Sequence, residues 1–67
     1  MNKVYSNAEM THLINEYIHS ERDRNILIDR LVNGLTFSEL EDKYHLSERQ
    51  IKRIVKRADA LLLMFFS

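Results

Sequence analysis

Apolar side chains recur along this chain at the three- and four-residue spacing of a helix with one buried face, in four separate stretches. Met10, Leu13, Ile14, Tyr17 and Ile18 form the first stripe, and Leu27, Ile28, Leu31 and Val32 the second. A short third segment carries Leu40 and Tyr44, and a long fourth one carries Ile51, Ile54, Val55, Ala58 and Leu62. Ile26 falls outside the second stripe, and a helix with one apolar and one polar side gives it no place. A single glycine and the absence of proline argue against strands joined by turns.

Capping chemistry sets the boundaries. Ser6-Asn-Ala-Glu9, Thr36-Phe-Ser-Glu39 and Ser47-Glu-Arg-Gln50 each fit a capping box, in which a hydroxyl and a carboxylate or amide exchange hydrogen bonds with backbone amides three residues apart. Tyr5 with Met10, Leu35 with Leu40 and Leu46 with Ile51 stand at the two positions of a hydrophobic staple. Ser20-Glu-Arg-Asp23 offers a weaker cap, and Gly34 stands where a left-handed helix end belongs. Helices are therefore expected over about 7–19, 21–33, 37–44 and 48–65, with His45 and Leu46 making a tight turn between the last two. Connections this short, with no linker or internal repeat, predict one all-α domain spanning residues 1–67 with a helix-turn-helix at 36–57.

Sixty-seven residues bury a modest core that is marginal alone. Without cysteine, no disulfide or thiolate metal site can reinforce it. The longest apolar run, Ala60 to Phe66, is too short to span a bilayer, and the N-terminus has no apolar leader region, so a cytoplasmic protein is expected. The net charge of zero hides an asymmetry: residues 1–47 hold five basic and eight acidic side chains, whereas residues 48–57 hold five basic against Glu48 alone. On the fourth helix Arg49, Lys52, Arg53 and Lys56 share the side opposite the apolar stripe. Such a face can neutralise phosphates, and its arginines can pair bidentately with guanine. The plainer reading is a solvated amphipathic helix, for which basic faces are common.

Leu40, Tyr44, Leu46, Ile51 and Ile54 occupy the apolar places of the helix-turn-helix motif, and the stretch Arg22 to Leu62 resembles the last DNA-binding region of bacterial sigma factors and the related LuxR-type domains. The likeness lies in the second helix, with an Arg-rich start and an Ile-Leu core, ending at Gly-Leu-Thr, followed by Thr-Phe-x-Glu-Leu and Leu-Ser-x-Arg-x-Ile-Lys-Arg. It implies that the fourth helix reads double-stranded DNA, with Ser47, Glu48, Arg49 and Gln50 at its leading end, Lys52, Arg53 and Lys56 further along, Arg57 peripheral, and Thr36 near a phosphate. Where the pattern usually has a small residue, this chain has Glu41, expected to swing to solvent or pair with a base such as Arg53. Where the turn usually has glycine, it has His45, which tolerates positive φ better than most residues. More loosely, the chain resembles small proteins encoded in phages and mobile elements of gut bacteria. A sequence-specific transcriptional regulator is the function these likenesses imply.

The end of the fourth helix is apolar on every side, and a domain this small cannot easily cover all of it. Leu61, Leu63, Met64, Phe65 and Phe66 are expected to pair two copies, as suits a motif that reads two half-sites; the alternative is a tail that folds back or frays. His12, Glu16 and His19 share one face of the first helix but lack a fourth ligand, so no metal is assigned. Neither a nucleophile with an independent base nor a glycine-rich phosphate loop is present; an enzyme is not expected, nor a cofactor. The competing expectation is a protein-interaction module. The sigma-factor fold also contacts RNA polymerase, and the acidic first three helices or the apolar end would serve such a contact. A packaging or recombination accessory is a third possibility.

Overall fold

Each helix starts where a side-chain oxygen reaches its first unpaired amides. The computed structural model describes residues 6–66, and their side chains over 6–61. Four helices run in order: α1 (Asn7–Tyr17), α2 (Glu21–Leu31), α3 (Phe37–Tyr44) and α4 (Glu48–Phe66). Ser6 and Glu9 close a full capping box on α1, and Thr36 and Glu39 close one on α3. Gln50 does the same for α4: its Oε1 accepts from the Ser47 amide at 3.0 Å while its own amide donates to Ser47 Oγ at 3.3 Å. On α2, Ser20 accepts from the Asp23 amide, but the Asp23 carboxylate turns away to Arg22, so the box stays half made. The Tyr5 half of the first staple lies outside the described residues.

Two helices end earlier than the apolar pattern suggests. α1 stops at Tyr17 rather than His19, because Ile18 is already extended (φ −105°, ψ 114°) and only three residues separate α1 from α2. The Arg24 guanidinium covers that end, donating to the carbonyls of Ile18 and His19 at 3.0 and 3.1 Å. Ile18 stays buried, whereas Tyr17, expected in the core, is 44 % exposed where the chain leaves the helix. α2 stops at Leu31 rather than Asn33. Its last turn widens, the Asn33 amide reaching Ile28 and the Leu35 amide reaching Asp29, while Gly34 takes the positive φ of 77° that only glycine adopts freely.

The core has two centres, one on each side of α2. Ile14, Ile18, Leu27 and Ala58 form the first, joining α1, α2 and the middle of α4, with Leu61 packed against it. Ile26, Leu40 and Ile51 form the second, joining α2, α3 and the start of α4. Ile26, Leu27, Leu40 and Ile51 are wholly removed from water, each such burial being worth about 1.5–3 kcal/mol. Ile26 thereby finds its reason. α2 is packed on two sides, so its apolar arc is wider than one stripe.

Candidate nucleic-acid interface

The second core centre fixes how α3 and α4 meet. Leu40 and Ile51 bury against each other and against Ile26, with Leu35, Phe37, Tyr44 and Leu46 around them. Between the helices the chain reverses through His45, which adopts the left-handed conformation expected of it (φ 56°, ψ 42°) and donates its amide to the Glu41 carbonyl at 2.8 Å. Glu41 is half-buried, and among the described residues it makes no ion pair; the expected contact with Arg53 is not formed.

With its apolar side held down, α4 leaves its polar side in solvent. Ser47, Glu48, Arg49, Gln50, Lys52, Arg53, Lys56 and Arg57 are all exposed. Lys52 pairs with Glu48 one turn back at 3.2 Å and lies 5.6 Å from the centre of the Phe37 ring, whose face also carries the Arg30 guanidinium at 4.4 Å. These contacts tether Lys52 to the start of α3. No described carboxylate pairs with Arg49, Arg53 or Lys56. Gln50 is otherwise engaged: its carboxamide oxygen serves the Ser47 cap, leaving the NH2 group free to donate.

Arg57, expected at the periphery of the contact, helps line a cleft of about 210 Å³ with Arg53, Gln50, Ile54 and Leu46 on one wall and Arg22 and Asp23 at the start of α2 on the other. Arg22 carries no signal in the sequence, since it lies some thirty residues before its cleft partners. Three guanidinium groups against one carboxylate give the cleft a positive balance. Asp23 is itself held by Arg22 at 3.2 Å.

Thr36 is exposed as expected, but its end of α3 is already occupied. Its amide donates to the Glu39 carboxylate at 2.9 Å and its Oγ1 accepts from the Glu39 amide at 3.2 Å. The bond from the Thr36 amide, and after it the Thr36 side chain, hold the Glu39 carboxyl below its ordinary pKa. An anion therefore sits where the pattern implies a phosphate.

Behind the interface lies a polar knot that the sequence does not foretell. Asp29, 7 % exposed, lies on α2 facing α3. Its Oδ2 accepts from Lys43 Nζ at 2.7 Å and from the Tyr44 hydroxyl, and its Oδ1 from Asn33 Nδ2 at 3.0 Å. Burial alone would raise the Asp29 pKa, but the bonds from Lys43, Tyr44 and Asn33 together outweigh it and hold the group low. The bond to Asp29 lifts Lys43; burial, then the same carboxylate, lifts Tyr44. The two partners on α3 are 14 and 15 residues away, beyond any local spacing rule.

Of the residues expected to pair two copies, Leu61 is half-buried against the chain's own core, and the side chains of Leu63, Met64, Phe65 and Phe66 lie outside the described residues. Among the described residues no helix is long and apolar enough to cross a membrane. The family model described as sigma-70, region 4 matches residues 20–60. No curated protein and no solved structure matches the chain.

Proposed function

This chain belongs to the sigma-70 region 4 family, a DNA-binding helix-turn-helix domain, and we propose that it is a sequence-specific reader of duplex DNA that lays α4 in the major groove. The observation that carries this is the division of α4: Ile51 and Ala58 are buried, while Arg49, Lys52, Arg53 and Lys56 stand in solvent on the other side. Arg49 and Arg53 have no described carboxylate partner, so they meet a base edge without first breaking an ion pair. Guanine, with two acceptors on its major-groove edge, is their natural target. Lys52 and Lys56 suit phosphates, and Arg22 and Arg57, on the cleft beside the groove, suit one more. Glu48 and Ser47, at the leading end of α4, lie where they reach bases or backbone. Family membership favours transcription control as the role over packaging or recombination.

Two copies on one site is the arrangement supported by the last turns of α4. The backbone stays helical to Phe66, beyond Ala58 and Leu61 where α4 packs on its own domain, and residues 60–66 are apolar on every side of that helix.

Selection from a random duplex library at about 0.15 M salt, where non-specific phosphate binding is weakened, tests the reading. An enriched sequence is expected, as two symmetric half-sites if copies pair. Replacing Arg49 and Arg53 together by alanine is expected to cost about 1–3 kcal/mol for each of the two arginines that reads a base. Unchanged affinity in that variant, or no enrichment at all, would overturn it and leave a protein partner, RNA polymerase among the candidates, as the function of this surface.

A further inference from the structure

Among the described residues, Asp29 is the one strongly buried carboxylate bonded to a neighbouring helix, and the DNA-facing side chains make no use of it. Its position explains what it does. The connection into α3 and the last turn of α3 both end on this residue, one on its backbone and the other on its side chain. Through its backbone carbonyl it accepts the Leu35 amide at 3.0 Å, which closes the turn from α2 into α3. Through its carboxylate it accepts Lys43 and the Tyr44 hydroxyl, the last two residues of α3 and the ones immediately before the left-handed His45. Asn33, from the α2 end itself, completes the ring of donors on the other oxygen.

An apolar contact resists separation but tolerates sliding, because it has no preferred direction. Leu40, Ile26 and Ile51 therefore hold α3 and α4 close without alone specifying their angle. Hydrogen bonds are directional, and a buried carboxylate left without its donors is costly. The carboxylate grips the last turn of α3 while the Asp29 carbonyl closes the connection leading into it, and together they leave that helix one orientation against α2. The direction in which α4 leaves His45 is then set as well.

We propose that Asp29 is the positioning residue of this DNA reader, holding the last turn of α3 on α2 so that α4 is presented at a fixed angle. The inference rests on the DNA-reading function above.

The test compares the full chain with Asp29→Asn, Tyr44→Phe and Lys43→Met, each at a temperature where circular dichroism shows it fully folded. Two duplexes are titrated, the one enriched from the library and a scrambled copy. A residue that only adds stability would change neither affinity in a folded protein. A positioning residue lowers affinity for the enriched duplex and spares the scrambled one, which needs charge but no alignment. For Asp29→Asn the specific affinity is expected to fall about tenfold, in the usual range of coupling between sites, with the scrambled duplex unchanged. Tyr44→Phe, which removes one of the three donors and leaves the charge in place, should fall less. Equal preference in wild type and folded Asp29→Asn overturns the proposal. If Asp29→Asn does not fold, Tyr44→Phe decides by the same criterion. Residual dipolar couplings on the free protein report the α2–α4 angle independently of DNA: an angle changed in the variant supports the positioning role, and an unchanged one refutes it. Should the wild type prefer no duplex, the DNA reading fails while these couplings still decide what Asp29 does.

Discussion

The two halves of this small domain are held by different means. On the side of α1, the centre formed by Ile14, Ile18, Leu27 and Ala58 is apolar and bordered by half-buried Met10, Leu31 and Leu61. Across α2, the centre formed by Ile26, Leu40 and Ile51 is smaller but wholly dry, and it is backed by the Asp29 knot and two cap-closed helix starts. The first half adds area; the second adds direction. The family match, residues 20–60, contains all of the second half and omits α1 entirely. α1 thus stands outside the matched unit and packs against it through the first centre.

The sharpest way to break that contrast is to hollow each centre in turn. Leu40→Ala is expected to cost about 4–5 kcal/mol and Ile14→Ala about 2–3, because every buried member of the second centre is wholly dry whereas Ile14 and Ile18 of the first already lie nearer solvent. Urea titration followed by circular dichroism measures both; equal costs would erase the distinction.

Acid sharpens it next. The Asp29 carboxyl is held below its unfolded value, so the stability it contributes is fully present above about pH 4 and is lost as pH falls through the lower folded value. Lys43 and Tyr44 are raised, so their contribution is present below about pH 10 and is lost as pH climbs past the raised values. The urea midpoint of the wild type should therefore fall more steeply below pH 4 than that of Asp29→Asn, which has no such group to protonate. At pH 7 the same variant should be about 1–3 kcal/mol less stable.

The mildest change is at the turn. His45 holds a left-handed conformation that costs a side chain about 1–2 kcal/mol, part of which glycine would return as lost chain entropy. His45→Gly should raise stability by about 0.5–1 kcal/mol, visible as a melting temperature a few degrees higher. A lower melting temperature would mean that the imidazole makes a contact worth more than the strain.

What the sequence disclosed follows from the range over which each interaction acts. Caps, stripes and the left-handed turn are settled within four residues, and Ser6, Thr36, His45 and Ser47 do what their neighbours imply. The basic side of α4 was equally plain, being one helix read by itself. Ile26 was opaque because its reason is a second packing partner, and Asp29 because its donors come from another helix. Arg22 joins a cleft whose other wall is built from α4, so its place depends on the finished fold. The early ends of α1 and α2 reflect the same limit. Ile18 and Val32 keep apolar spacing after the helix has stopped, because burial does not require the helix to continue.

The Gln50 carboxamide, folded back onto Ser47, has a consequence for how such a protein would find its site. A protein searching along DNA must move quickly over wrong sequences and stop at the right one, and side chains that bind every base they pass slow the search. With its oxygen committed to the cap, Gln50 offers adenine a donor but not the paired donor and acceptor that adenine rewards. Full engagement requires giving up the cap, an exchange that only a matching base compensates.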